Sequence, residues 1–468
     1  MLACPVVRHL REALCHPVFL LALAVLVRLV VAAGTLVPGR DSEHYLWMAE
    51  RVAEGQFGAA FETVFHPVYS LLVAPLLICL PDIDAVVAGQ MVSCGLGALA
   101  VLPLFAVTSR LFGRRAAAAA GFLYAVGIWF ARHPADCLSE GPFYLLVAGT
   151  VWLLTSDRRT SAAHLLIAGG LAGLAYGTRP EGAALILVGA PWLWLSRRHR
   201  DAVAFLAAGV ATSLVWPTGY WWYGDGFTVT PKLGFNYAVG VGRAEDAASH
   251  YLGHLVQIPG ELFEALGYIA VPMALVGLFL ARPWTLRSPT TLIIALVMMQ
   301  IAIIPLLRSH FRYLSGYGFL LLVFAGLTWR HLSPRLSGWP TPLLTGAVLL
   351  AVAGDLVRIP QERRQDRTVL IELGRHLAPQ LRQGESLATD MPRLSYFSGA
   401  KPGPPREIPD AELLEWCDRP TTRFVAIVQS RSEITAEDLR RRGFTPLQTP
   451  PELALLIKAR SIAAYERR

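Results

Sequence analysis

The chain has 468 residues, of which 54% are hydrophobic and only 16% are charged. Its formal net charge is +8 at pH 7, but the basic residues stand in short clusters between apolar runs and not in one patch. This composition excludes an ordinary soluble globule, and the absence of a nucleic-acid-binding motif predicts no nucleic-acid partner. Apolar runs of about 18 to 22 residues recur along the chain and predict an all-α polytopic membrane protein.

The first apolar run, Val18 to Val37, predicts a retained transmembrane helix, because no convincing cleavage site closes it. Arg8 and Arg11 precede this run and place its start in the cytoplasm. Asp41 to Gln56 then has apolar residues at helical spacing, and His66 to Leu80 is apolar but only about 15 residues long. We therefore expect two interfacial or re-entrant helices in the first outer loop.

The positions of the later basic clusters predict the topology. If His66 to Leu80 does not cross the membrane, these clusters lie on the same side as the N-terminus, which is the positive-inside pattern. This parity predicts about eleven transmembrane helices in a bacterial-type inner (plasma) membrane. They are Val18 to Val37, Val86 to Val107, Ala116 to Ala135, Leu138 to Leu154, Ala162 to Gly177, Glu181 to Leu195, Ala202 to Trp222, Glu261 to Ala281, Thr290 to Leu307, Tyr313 to Trp329 and Pro342 to Val357.

The composition after Arg358 is that of a soluble domain. Alternating strand and helix patterns predict a small extracytoplasmic α/β domain, with a domain boundary between residues 1–357 and 358–468. The expected helices are Leu370 to Leu381 and Thr435 to Arg442, and the expected strands are Ser386 to Thr389, Arg423 to Gln429 and Leu453 to Ile457.

Three acidic residues on the outer face are candidates for catalysis. Asp41 directly follows the first span, where a carboxylate can act as a general base or cap the next helix. Asp136 and Glu140 are four residues apart, so they share a face if one helix contains both. They suit substrate steering, helix capping or divalent-cation binding, although no dense metal-ligand cluster accompanies them.

Polar residues on the same face are candidates for substrate binding. Arginines there oppose the positive-inside trend, and a guanidinium bonds two phosphate oxygens at once. The alternatives are contacts with lipid headgroups and helix ends. The candidates are Tyr45, His66, Arg179, Glu181, Arg308, His310, Arg312 and Tyr313.

Several motifs occur in a specific order along the chain. They are Arg40-Asp41-Ser42-Glu43-His44-Tyr45, His66-Pro67-Val68-Tyr69, Arg110-Leu111-Phe112-Gly113-Arg114-Arg115, Asp136 with Glu140-Gly141-Pro142, Thr178-Arg179-Pro180-Glu181-Gly182 and Arg312-Tyr313. In this order they resemble the GT-C glycosyltransferases, in particular the bacterial branch with dolichyl-phosphate-mannose protein mannosyltransferases and the aminoarabinose transferase of lipid A. The resemblance extends over about Arg28 to Trp329.

This resemblance implies transfer of a hexosyl or pentosyl group, with inversion, from a polyprenyl-phosphate donor to a protein, lipid or glycan outside the cytoplasm. It implies that Asp41 is the base, that Asp136 or Glu140 is the acid of the second outer loop, and that Arg179, Arg312 and His66 contact the donor phosphate. In its second outer loop the chain lacks the DxD of the oligosaccharyl-transfer branch. A transporter or flippase of a lipid-linked substrate is the competing function, and a membrane scaffold for the outer domain is a third.

Overall fold

The computed structural model describes residues 16–39, 41–156, 162–224, 226–232, 247–281, 285–307, 310–335, 368–382, 385–399, 410–429 and 432–467. Within these ranges the chain forms two compact units. The first comprises the described residues of Met1–Gly34 and Met48–Gln361. The second comprises those of Thr35–Trp47 and Glu362–Arg468, so a segment of the predicted first outer loop belongs to the unit formed by the C-terminal residues.

All regular secondary structure in the described residues of the first unit is helical. Its first helix begins at Pro17, and the His16 side chain accepts a hydrogen bond from the Val18 amide. The helices are Pro17–Ala33, Ser42–Ala53 (which begins in the second unit's segment), Val68–Cys79, Ala85–Leu99, Val101–Phe112, Arg114–Val126, Ile128–Ala135, Glu140–Leu154, Ala162–Thr178, Ala183–Leu195, His199–Tyr223, Ala247–Leu266, Ala270–Leu280, Pro289–Leu307, Phe311–Gly318 and Leu322–Arg335. They correspond closely to the apolar runs of the sequence.

Four of the described helices are long and apolar enough to cross a membrane: Ala85–Phe112, His199–Tyr223, Pro289–Leu306 and Phe311–Ser333. A bent pair of helices makes up to five such spans, and several shorter apolar helices accompany them. The protein is therefore a multi-pass membrane protein, whereas the total of about eleven spans stays a prediction. The predicted span Pro342 to Val357 lies outside the described residues.

Two predicted spans are interrupted. Glu261 to Ala281 is not one straight helix, because Ala247–Leu266 and Ala270–Leu280 meet at an angle of 105°. Gly267 directly follows the first of these helices and has a φ of +95°, a conformation that glycine adopts much more readily than other residues. Ala116 to Ala135 is likewise divided, at Gly127, whose backbone is extended.

Close helix packing positions the turn that carries Arg179. In Ala162–Thr178, a Cβ added at Gly169 would lie 2.3 Å from the Phe205 carbonyl oxygen, and one at Gly173 would lie 2.5 Å from Thr212 Cβ. Glycines spaced four residues apart thus let this helix lie directly against His199–Tyr223, as small residues do in membrane helix pairs.

The C-terminal residues of the second unit form a four-stranded sheet with helices. The strands are β1 Ser386–Thr389, β2 Thr422–Val428, β3 Phe444–Pro446 and β4 Ile462–Arg467, in the order β1-β2-β4-β3. β1 is parallel to β2, and the other pairs are antiparallel. The helices are Thr368–Leu377, Pro392–Phe397, Asp410–Asp418, Ala436–Arg441 and Pro451–Ala459.

The sequence predicted part of this unit correctly. Thr435 caps its helix through a reciprocal capping box with Asp438. The strand expected at Leu453 to Ile457 is wrong, because those residues lie in the helix Pro451–Ala459. Pro451 stands in the first turn, where proline favours a helix, and the buried Leu453 and Ile457 are four residues apart, on one helix face.

Candidate functional site

A buried carboxylate, Glu140, is the centre of a charged cluster in the first unit. It begins the helix Glu140–Leu154, and its side chain is only 1% exposed. Arg179 Nη1 lies 2.5 Å from Glu140 Oε1. Arg312 Nε donates to the same oxygen, and Arg312 Nη2 lies 3.4 Å from Oε2. Two guanidiniums from distant parts of the chain therefore share one carboxylate.

Arg179 also pairs with a second carboxylate. Its Nη2 lies 3.0 Å from Glu181 Oε1, and the Arg179 side chain is 4% exposed. The residue stands in extended backbone after the helix Ala162–Thr178, and Pro180 begins a short 3-10 turn that returns Glu181 toward it. The Tyr317 hydroxyl fixes this turn by donating to the Glu181 carbonyl at 2.9 Å.

The four charges of Arg312, Glu140, Arg179 and Glu181 alternate in sign. Buried ionic groups are tolerated when each has a partner, and removal of one partner typically costs about 3–5 kcal/mol. Burial disfavours the charged form of Arg179, but the two carboxylates outweigh this and raise its pKa. The cluster is thus a fixed array of charges.

A second group of polar residues adjoins Glu181. His66 is 1% exposed, and its Nε2 lies 3.2 Å from Thr230 Oγ1. Its ring meets that of Tyr176 edge to face, with 5.4 Å between centroids. Lys232 is 8% exposed, and its Nζ lies 4.4 Å from the centroid of the Phe65 ring. The site therefore contains a buried ammonium beside a buried imidazole.

Burial controls the protonation of His66. Desolvation lowers its pKa to about 4, because a charged imidazolium is unfavourable away from water. The carboxylate of Glu181 opposes this shift and the ammonium of Lys232 adds to it. His66 is consequently neutral at pH 7, so one ring nitrogen carries a proton and the other accepts.

The second-loop acids are not on one helix. The helix Ile128–Ala135 ends at Asp136, and Cys137 has a φ of +54°, so the chain turns before the helix at Glu140 begins. The condition for a shared helix face, one helix that contains both residues, is therefore not met. Asp136 is nonetheless buried, at 4% exposure.

The second cationic segment is partly described. His310 Nδ1 accepts from the Arg312 amide at 3.1 Å and begins the helix Phe311–Gly318. The Tyr313 ring lies 5.8 Å from the Arg179 guanidinium carbon. Arg308 lies outside the described residues.

Two predicted site residues belong to the second unit. Asp41 is half-buried and precedes the helix Ser42–Ala53, and Tyr45 is 2% exposed. The first unit brings together His66, Glu140, Arg179, Glu181, Arg312 and Tyr313.

Sequence reasoning missed Lys232 and Tyr317. Lys232 lies in the long loop after Trp222. The only feature of the sequence that pointed to it was its position on the predicted outer face. No group of three His, Cys, Asp or Glu side chains among the described residues is placed to hold a metal ion, so a divalent cation stays a prediction.

Comparisons with known proteins identify a matching family model and similar folds. Residues 66–221 match the sequence model of a family described as dolichyl-phosphate-mannose-protein mannosyltransferase. A comparison with curated proteins finds no match. The crystal structure of ArnT from Cupriavidus metallidurans bound to undecaprenyl phosphate is similar, with a TM-score of 0.66, 13% identity, and coverage of 96% of this chain and 97% of ArnT.

A second solved structure is the archaeal oligosaccharyltransferase AglB from Archaeoglobus fulgidus, in complex with an inhibitory peptide and a dolichol-phosphate. Its TM-score is 0.54 at 12% identity, with 87% of this chain and 69% of AglB covered. This chain has the GT-C fold. The resemblance stated from the sequence motifs is confirmed. In this GT-C protein the matched residues 66–221 include His66, Glu140, Arg179 and Glu181.

Proposed function

We propose that the protein is a membrane glycosyltransferase that moves a sugar from a polyprenyl-phosphate donor to an acceptor outside the cytoplasm. The observation that carries this proposal is the buried array of cations and carboxylates around Arg179 in a GT-C fold. Two similar structures are described with undecaprenyl phosphate and with a dolichol-phosphate, which supports a polyprenyl phosphate as the ligand.

The donor phosphate has suitable partners in this array. Lys232 supplies a buried positive charge, and neutral His66 supplies one N–H. Arg179 is held by two carboxylates through its terminal nitrogens, while its buried Nε–H donates to no described residue. We assign that N–H to the phosphate. Arg312 is the third cation near the proposed phosphate site, and its bond to Glu140 holds it there.

The sugar has a matching acceptor. Glu181 Oε2 is buried and receives no hydrogen bond from the described part of the chain. A sugar hydroxyl is a donor of the right kind for a buried carboxylate oxygen. We therefore propose that Glu181 binds a hydroxyl of the transferred sugar.

Asp41 is proposed as the general base. It takes the proton of the acceptor hydroxyl or amine while that atom forms a bond to the anomeric carbon. The bond from this carbon to the phosphate oxygen breaks, and polyprenyl phosphate leaves with the bonding electrons. Attack from the face opposite the phosphate inverts the sugar. A carboxylate base typically contributes about 10²- to 10⁴-fold to the rate.

The cell envelope is the proposed location. By charge parity the N-terminus is cytoplasmic, and residues 358–468 form an extracytoplasmic domain. The membrane domain of residues 1–357 then meets its lipid-linked donor within the bilayer.

The test is sugar release from a polyprenyl-phosphate donor by purified protein, compared for the parent, Asp41→Asn and Arg179→Lys. We expect Asp41→Asn to bind donor normally and to lose at least about 10²-fold in turnover. Arg179→Lys keeps the charge but loses the planar fork, so we expect weaker donor binding.

Arg198→Lys is the matched control, because Arg198 also pairs with a carboxylate, Asp201 at 2.7 Å, but outside this array. Translocation of an intact donor without sugar release would support the transporter alternative. Turnover of Asp41→Asn within about threefold of the parent would contradict the base assignment.

A further inference from the structure

Arg393 connects the C-terminal residues of the second unit to the segment that contains Asp41. It lies in the helix Pro392–Phe397 and is 7% exposed. Its Nε donates to the Pro38 carbonyl oxygen at 3.2 Å. The same nitrogen lies 3.8 Å from Glu43 Oε1, and the Glu43 side chain is fully buried. One guanidinium therefore contacts the segment at two points.

These two points flank Asp41 in the sequence. Between them the chain makes a turn, because the Ser42 amide donates to the Gly39 carbonyl at 3.2 Å and the Ser42 hydroxyl donates to the same oxygen at 2.7 Å. Asp41 stands inside this turn, with Pro38 before it and Glu43 after it. Contacts on both sides restrict the backbone of the residue between them.

The helix that carries Arg393 is itself fixed. Leu394 is fully buried in the core of the unit. A Cβ added at Gly374 would lie 2.5 Å from Phe397 Cβ, so Pro392–Phe397 packs directly on Thr368–Leu377. A side chain on a rigid, packed helix holds its partner more precisely than one on a loop.

The ionic contact adds orientation. A buried carboxylate is costly unless a cation or hydrogen-bond donors accompany it. Arg393 supplies this positive charge to Glu43 through its Nε, which donates at the same time to the Pro38 carbonyl. The contact is thus suited to holding the start of the helix Ser42–Ala53 in one position.

We propose that Arg393 is a positioning residue that holds the Asp41 turn, so that the C-terminal unit takes part in the transfer reaction. This inference rests on the proposed function, because Asp41 is a base only in that reaction. It assigns the C-terminal residues a role in catalysis that composition did not indicate.

The first experiment measures the turn directly. Hydrogen exchange of the peptide covering residues 35–47 is compared in full-length parent and Arg393→Gln protein, both in detergent. We expect faster exchange in the variant, and unchanged exchange in the control Arg423→Gln, which breaks an ion pair with Glu466 at 2.6 Å elsewhere in the unit. Equal exchange in Arg393→Gln and the parent would overturn the proposal.

The second experiment measures the effect of Arg393 on the rate of transfer. We expect Arg393→Gln to lower kcat about 10- to 100-fold at unchanged KM for the donor, since small misplacement of a reacting group costs rate and not binding. Arg393→Lys should recover part of kcat, and Glu43→Gln should add little to Arg393→Gln. If Arg393→Gln does not fold, the same comparison is made with Arg393→Lys, whose normal exchange and normal kcat would overturn the proposal.

The experiments distinguish failure of the Asp41 base assignment from failure of the Arg393 positioning role. If Asp41→Asn keeps its turnover, the base assignment fails, and exchange of residues 35–47 still reports whether Arg393 holds the turn. If Asp41→Asn is inactive while Arg393→Gln has parental kcat, the positioning role fails and the base remains.

Discussion

Replacement of Glu140 by glutamine tests the central claim about the site most directly. Glutamine keeps the size and one acceptor oxygen but removes the charge that faces Arg179 and Arg312. The Glu140 side chain is 1% exposed and that of Arg179 is 4% exposed, so water does not replace the lost charge. Removal of one partner from a buried pair costs about 3–5 kcal/mol. We expect a loss of stability in this range.

A matched control separates this effect from the general loss of an ion pair. Asp201→Asn breaks the pair with Arg198, whose side chains are 26% and 29% exposed, and exposed pairs contribute about 0–1 kcal/mol. Thermal unfolding in detergent, with donor binding by titration, compares the two variants. If Glu140→Gln loses no more stability than Asp201→Asn, the two guanidiniums do not depend on Glu140 and the proposed array is wrong.

Three further predictions concern binding, pH and topology. Arg312→Lys should weaken donor binding at least about tenfold, because an ammonium cannot bond both oxygens of Glu140 and would leave the proposed phosphate site less well fixed; near-parental affinity would show that donor binding does not depend on Arg312. The lowered pKa of His66, about 4, means that the unfolded chain binds a proton that the folded chain does not, so stability should rise between about pH 4 and 6.5. Replacement of His66 by asparagine should flatten this rise in thermal unfolding. A reporter fused at Gly113 should read cytoplasmic and one at Gly226 external, and the reverse order would contradict the charge parity.

The helical part of the fold could be predicted because each apolar run has the length and hydropathy of a membrane helix. The bends could not be predicted from hydropathy. Gly267 lies among apolar residues, so the sequence gives no sign of a bend. Its positive φ and the bend itself are seen only in the structure. In the C-terminal unit, β4, which lies between β2 and β3, was missed because it carries Glu466 and Arg467, which weaken the strand pattern.

The residues of the site could be predicted better than their partners. Arg179 and Arg312 attracted notice because they are cations on the predicted outer face. Their shared carboxylate, Glu140, lies 172 residues from Arg312 in the sequence, and no spacing rule relates residues so far apart. Lys232 had no motif, and its burial beside Phe65 is evident only in the structure.

The balance of charges gives a reason for the arrangement around Arg179. The formal charges of Arg312, Glu140, Arg179 and Glu181 sum to zero, so each buried charge of the array has an opposite charge beside it. Lys232 adds a buried ammonium near this array, and His66 beside it is neutral. A polyprenyl-phosphate sugar is a phosphodiester with a single negative charge, and a lysine ammonium is a common phosphate partner in proteins. Fixed, balanced charges that need no reorganisation when the donor binds are the kind of environment that stabilises a leaving phosphate.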